Sequence, residues 1–434
     1  MKYEYSKGYR VVQFFVNTAM RLHYRKIVFS GLSNISPKKP VIFAPNHRNA
    51  VIDPLLVVFK NIKRQVVFLA RADVFRKKMI ADLLIWFHIM PVYRMRDGRD
   101  NLENNNDTFE MSSLLLKKRI PLALFPEGRH NPKQSLLPLQ KAIPRIVLPT
   151  EAEENFTLKS EIIPTAIYYP DLFGFLSDVY VTYGEPIKVA DYKNLYAENP
   201  VAAANRMRQE MESRMKQMVV NVWNDEFYNE YMLCIDLNAK KTAKEQFSGK
   251  KDGYLQAALH IVHKLDDLFA HNREVFDKKM AGYREAIQIM TEHGLKSKDE
   301  IHKPSSPLLL LVQLLLLVIS FPVAAFGFVN GILPIVAYKR LLGAFKDNQF
   351  IPTVRLVSGL IFVPVFGFLQ ALLIGIFTQN WLLSLIYLAV MPITFYVAVW
   401  WRKWGKSLKR KWKVTRFKKS FPREWKKLLS LVEL

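Results

Sequence analysis

Three stretches of the chain, residues 304–338, 356–380 and 381–401, contain no Lys, Arg, Asp or Glu. A bilayer's hydrocarbon layer is about 30 Å thick, and a helix needs about 20 apolar residues to cross it. Each run is long enough, so an integral membrane protein is expected. As one helix, 304–338 would extend roughly 50 Å, too long for one comfortable span. Phe321-Pro322 lies near its middle. The basic clusters at 339–346 and 402–427 should both face the cytoplasm. Three simple spans would separate them. A re-entrant or hairpin pair over 304–338, followed by a hairpin of the two later runs, keeps them together.

The N-terminal stretch is interrupted by charges too often for a signal-peptide core. As a helix it places Val11, Phe14, Phe15, Thr18 and Leu22 on one face. That face suits either the headgroup layer of a membrane or the flank of a soluble domain. With 63 Lys and Arg against 38 Asp and Glu, the net charge is +25. Such a balance implies an anionic partner. Beside membrane segments, lipid is the expected one, and nucleic acid is not. Residues 402–434 interleave cations with Trp404, Trp412, Phe417 and Trp425, a pattern suited to an anionic membrane surface. The sole cysteine, Cys234, excludes an internal disulfide and fits a reducing compartment.

Residues 39–190 alternate short β-rich runs (41–44, 65–70, 89–94, 121–125, 162–169 and 178–184) with helical stretches such as 54–62 and 107–119. This predicts an α/β domain with a mixed, largely parallel sheet flanked by helices, and chemistry in the loops at strand ends. Residues 191–303 turn charged, with helical spacing, which predicts a helical subdomain. The expected organisation is an amphipathic interfacial helix over 1–30, an α/β domain over 31–190 and a helical subdomain over 191–303. Membrane helices over 304–401 and a basic aromatic membrane-surface tail over 402–434 complete it.

Two stretches carry candidate chemistry. In "FAPNHRNAVIDP" (43–54), His47 offers an imidazole that can take a proton from a hydroxyl, while a carboxylate at Asp53 can hold the ring's other nitrogen. Positions six apart on a regular helix point to different faces. The two side chains meet only if the intervening chain is irregular, as Pro45 and Pro54 favour. Alternatively, Asp53 is an N-cap and Pro54 a first helical residue, and capping alone accounts for the pair. In "LFPEGRHNPKQSLLPLQKAI" (124–143), a strand runs into Glu127, Gly128 and Arg129. The glycine permits a sharp turn, and an arginine there suits bidentate phosphate binding. The four residues His47, Asp53, Glu127 and His130 match no compact metal-ligand spacing, so no metal is expected.

Taken in order, these blocks resemble the glycerolipid acyltransferase family, which includes the bacterial lysophosphatidate and yeast-type glycerol-3-phosphate acyltransferases. That family pairs His and Asp in its first motif and reads Phe-Pro-Glu-Gly in its third. "MPVYR" (90–94), "IIPTAI" (162–167) and "GEPI" (184–187) fall where the family has further conserved blocks. Two departures stand out. His47 and Asp53 are separated by five residues where the family commonly has four, and Arg129 follows Gly128 directly where a small residue usually intervenes. The resemblance covers about residues 30–190. It implies that His47, oriented by Asp53, activates a glycerol hydroxyl toward an acyl thioester. It also implies that Arg94, Glu127, Gly128, Arg129, His130 and Lys141 hold the phosphate-bearing acceptor. No bound cofactor is implied; acyl-CoA or acyl-acyl carrier protein is the co-substrate. The implied acceptor is 1-acyl-glycerol-3-phosphate or glycerol-3-phosphate; the alternatives are another lysophospholipid or headgroup lipid as acceptor, or a non-enzymatic polybasic membrane protein that binds anionic lipid or nucleic acid. The α/β domain is expected on the cytoplasmic face of a bacterial inner membrane, or else of the endoplasmic reticulum.

Overall fold

The computed structural model describes residues 7–60, 64–93, 104–296, 301, 305–345 and 347–433. The chain divides into two units, Met1–Asn221 and Val222–Leu434.

The first unit begins with helix α1 (Lys7–His23) and strand β1 (Lys26–Ser30). It continues through β2 (Val41–Pro45), α2 (Ile52–Phe59), β3 (Val67–Arg71), α3 (Lys78–Trp86), β4 (Ile89–Val92) and α4 (Asn104–Lys117). Next come β5 (Leu122–Leu124), α5 (Ala142–Glu153), β6 (Glu161–Tyr168), β7 (Asp178–Tyr183) and β8 (Ile187–Lys188), then α6 (Lys193–Glu198) and α7 (Pro200–Met218). The strands form one mixed sheet in the order β1-β7-β6-β2-β5-β3-β4, with β8 on β6. Pairs β1–β7, β6–β2, β2–β5, β5–β3 and β3–β4 are parallel; β6–β7 and β6–β8 are antiparallel. Every residue of β2 and β6 is buried. That is why neither alternates apolar with polar residues along its length. The sheet is thus the expected mixed, largely parallel one.

Two expected boundaries move. The N-terminal helix ends at His23, and 26–30 instead forms an edge strand in register with 178–182, with Arg25 gripping Asp178 through two hydrogen bonds of 2.8 and 2.6 Å. Met20, His23 and Tyr24 are buried, while Val11, Phe14, Phe15 and Leu22 are half or more exposed. The α/β unit also continues past 190. Met207, Met211 and Met215, four apart on α7, enter the same core as Ile146, Leu148 and Ile162.

The second unit contains α8 (Tyr228–Gln246), α9 (Gly253–His271) and α10 (Arg273–Glu292), packed around Cys234, Ile261, Phe276 and Tyr283. The apolar region follows as α11 (Pro307–Ile319), α12 (Phe321–Asn330), α13 (Ile332–Gly343), α14 (Ile351–Thr378) and α15 (Trp381–Ser420). Two of these, 348–378 and 381–420, are long and apolar enough to cross a membrane; α11 and α12 pass that test together but are bent by 51°. The break falls at Ser320–Pro322, where the missing proline N–H and its ring interrupt the helix. α12 runs back along α15, where Gly327 lies against Thr394 and Ala398. Asn330, at the end of α12, meets Tyr387 at 2.7 Å and Gln370 at 3.0 Å. The expected tail is folded. α15 runs on to Ser420, and α16 (Pro422–Leu431) buries Trp425 and Leu428. His293 and Glu424 meet at 2.6 Å, and Lys427 pairs with Glu285. Phe417 and Trp425 are therefore core residues, while Trp412 stays exposed.

Candidate active site

Three adjacent parallel strands, β5, β2 and β6, deliver the site from their C-terminal ends, where open α/β sheets bind ligands. Each supplies one side chain just beyond its last residues: His47 after β2, Glu127 after β5 and Tyr169 after β6. Asn46 fastens the first and third ends together. Its amide donates to the Ile167 carbonyl at 3.1 Å and accepts from the Ile167 N–H at 2.7 Å.

Residues 46–51 are irregular, and this brings His47 Nδ1 within 2.9 Å of Asp53 Oδ2. Asp53 is not the N-cap of α2. The helix starts at Ile52, and the carboxylate reaches back over the preceding turn to accept from the backbone N–H groups of Arg48 and Asn49, both at 2.7 Å. Its other oxygen accepts the Tyr169 hydroxyl at 2.5 Å. Asp53 is fully buried. Four donors can thus converge on it: the imidazole, two backbone amides and a phenol. The Tyr169 hydroxyl is held well above its usual range, first by burial and then by the Asp53 charge, so it serves as a donor.

Glu127 faces the chain's own amides. Its Oε1 accepts from the His47 N–H at 2.7 Å and its Oε2 from the Leu137 N–H at 3.0 Å. Both oxygens hold backbone, so Glu127 ties the histidine loop to the loop after β5. Burial pushes this carboxyl up to about 7, and the neighbouring Asp53 adds to the rise; the two backbone donors and Arg48 act against it. A second tie runs from the Asn131 N–H to the His47 carbonyl at 2.8 Å. Gly128, at φ 67, turns the chain between them in the left-handed region that favours glycine.

The His47 ring is stacked on Phe125, with centroids 3.9 Å apart, and lies 4.0 Å from the His130 ring. Its side chain is 12% exposed. With Nδ1 on Asp53, Nε2 is the nitrogen left to face a reactant. Arg129 is exposed; His130 and Lys141 are half-buried, Lys141 at the start of α5. Arg94 lies outside the described residues. Among the described residues, no three His, Cys, Asp or Glu side chains are grouped to hold a metal ion.

Sequence reasoning missed Tyr169 and Arg48. Arg48 is buried beside the two carboxylates, and its Nη2 donates to the Pro132 carbonyl at 2.5 Å. A fixed cation among two buried acids lowers the cost of both.

The dyad stands within a segment, residues 26–168, that matches the family described as Acyltransferase. That segment is similar to the acyltransferase family. Over 119 residues the chain is 25% identical to glycerol-3-phosphate O-acyltransferase 2 of Saccharomyces cerevisiae, an alignment covering 27% of this chain and 16% of the yeast protein. The chain therefore matches only about a sixth of that relative's length. The crystal structure of the 1-acyl-sn-glycerophosphate (LPA) acyltransferase PlsC from Thermotoga maritima aligns at 16% identity and a TM-score of 0.31, over 48% of this chain and 80% of that one. Within the matched segment, β2 and β5 carry the His–Asp and Phe-Pro-Glu-Gly blocks on neighbouring strands.

Proposed function

We propose that the protein is a membrane-bound O-acyltransferase. It moves a fatty acyl group from an acyl thioester, carried by CoA or acyl carrier protein, to a hydroxyl of 1-acyl-glycerol-3-phosphate or glycerol-3-phosphate in phospholipid biosynthesis. The observation that carries this is the His47–Asp53 pair at the C-terminal end of a central strand in the segment that matches the acyltransferase family.

In the proposed step, His47 Nε2 takes the acceptor hydroxyl's proton as the oxygen attacks the thioester carbonyl. Asp53 holds the tautomer that leaves Nε2 unprotonated and stabilises the imidazolium that forms. The tetrahedral intermediate collapses, the C–S bond breaks, and the proton passes from the imidazolium to the departing thiolate. The acceptor gains an ester and the carrier leaves as a thiol. No acyl-enzyme is needed. Cys234 is buried in the other unit and its thiol is pushed up to about 11, which keeps it out of the chemistry.

Arg129, His130, Lys141 and Arg94 are assigned to the acceptor phosphate, with Gly128 shaping their loop and Glu127 bracing it. The two apolar helices and the exposed apolar face of α1 support placement at a membrane, where an acyl chain has an apolar place to lie. The basic clusters at 339–346 and 402–427 support a cytoplasmic side for the α/β domain.

The test is acyl transfer by detergent-solubilised protein to radiolabelled glycerol-3-phosphate or lysophosphatidate, each offered with palmitoyl-CoA and palmitoyl-acyl carrier protein. His47→Ala should reduce turnover by about 10²–10⁴-fold. Transfer that survives the substitution undiminished would remove the dyad from the mechanism; folded protein that acylates neither acceptor would refute the assigned substrates.

A further inference from the structure

The His47 ring is held in two directions. Asp53 meets Nδ1 at 2.9 Å and fixes where that nitrogen points, but one contact at the ring's edge leaves the plane free to turn about that line. Phe125 removes this freedom. Its ring is stacked on the imidazole, with centroids 3.9 Å apart and planes 20° from parallel. The second ring in contact, His130, is tilted by 49°, so among the described residues the plane-to-plane stack is with Phe125.

The sheet builds this stack. β2 and β5 pair in parallel with Phe43 opposite Ala123, and both chains leave the sheet at the same end. Phe125 is the first residue beyond β5, and His47 the second beyond β2. Glu127 Oε1 accepts the His47 N–H at 2.7 Å, and the His47 carbonyl accepts the Asn131 N–H at 2.8 Å, so the two backbones are tied beside the stack. Phe68 of β3, 6% exposed, backs Phe125 with its ring 6.5 Å away and 19° from parallel.

In the proposed step the imidazole is neutral until the acceptor's proton reaches Nε2 and the new O–C bond forms; it is then a cation. An aromatic face carries partial negative charge and attracts a cation more strongly than a neutral ring. The contact therefore strengthens on the way to the transition state, which is the condition for accelerating a step rather than tightening ground-state binding. The His47 side chain is 12% exposed, and a cation–π contact is worth more where water is thin. Asp53 acts at the ring's edge and Phe125 across its face, so the two contributions are separable. We propose that Phe125 is a positioning residue for the base: it sets the imidazole plane, and its π face stabilises the imidazolium. This rests on His47 as the general base.

Fluorination separates this role from packing, because ring fluorines drain charge from the face while changing the ring's size little. Full-length, detergent-solubilised protein carrying phenylalanine with one, two or three ring fluorines in place of Phe125 is compared with wild type and Phe125→Leu. The rate is read in a single turnover, where product release does not mask the chemistry. It should fall with each fluorine, to a total of about 2–30-fold, while the half-saturating acceptor concentration stays nearly unchanged; Phe125→Leu should fall at least as far. Melting midpoints should agree across the fluorine series. A flat rate across that series would overturn the proposal, as would a loss confined to Phe125→Leu, which would reduce Phe125 to a spacer. A rate loss that merely tracks a falling midpoint would overturn it too. His47→Ala tests the reading beneath. Turnover that survives His47→Ala would remove the base and the proposal together, whereas a flat fluorine series beside an inactive His47→Ala would leave the base standing.

Discussion

Glu127 is buried to 5% exposure, and its carboxyl rises from 4.5 to about 7, chiefly through that burial. The folded protein therefore keeps a proton on Glu127 at pH values where the unfolded chain has released it. Stability from this group is fully present below pH 4.5, falls as pH rises to about 7, and is level above that. At about 1.4 kcal/mol per pH unit, the whole fall comes to about 3 kcal/mol. Glu127→Gln removes the titration. It also sets an amide donor against one of the two backbone N–H groups, on His47 or Leu137, at a cost of about 1–3 kcal/mol that does not vary with pH. The variant should thus melt lower than wild type at pH 5, with the gap narrowing towards pH 8. The assay is the melting midpoint of the detergent-solubilised, full-length protein at half-unit pH steps. Wild-type and variant curves that run parallel from pH 5 to 8 would refute the reasoning, because they would place the titrating group elsewhere.

Three other outcomes are expected. Tyr169→Phe deletes one donor from the buried Asp53 carboxylate, worth about 1.5–3 kcal/mol for a hydrogen bond to a charged group. A loss at the low end equates to about a tenfold fall in kcat with KM nearly unchanged; an unaltered kcat would limit the tyrosine to packing. Gly128→Ala meets no close neighbour, since the added Cβ would lie 3.6 Å from Gln140 Cγ, so its cost is the left-handed backbone alone, about 1–2 kcal/mol in the melting midpoint. In Gly327→Val the first added carbon would come within 2.1 Å of the Thr394 carbonyl oxygen, which should force α12 off α15 and lower the detergent melting midpoint sharply; an unchanged midpoint would mean that the two helices do not pack this closely.

What was legible in the sequence follows from what burial leaves in it. β2, β5 and β6 are covered on both faces, so their apolar runs stand out between prolines and polar turns. β1 is an edge strand with little burial; it reads as more of the amphipathic helix before it, and only its pairing with β7 reveals it. α7, charged on its surface, reads in sequence with the helices that follow it rather than with the sheet. The three methionines four apart that seat it on the sheet do not announce which core they enter. At the site, six-residue spacing lets His47 and Asp53 meet only across an irregular chain, and the chain between them is irregular; the spacing alone does not separate a site from a capped loop. Glu127 was legible as a residue but not in its role, since a sequence does not say whether a carboxylate faces a ligand or the chain's own amides. Tyr169 lies 116 positions from Asp53, and no local pattern joins them. One signal was nonetheless available. His47, Glu127 and Tyr169 each stand just past the end of a strand that the apolar runs had already located. In a parallel sheet those ends converge, so each such position carrying a polar side chain was a candidate before any contact was known.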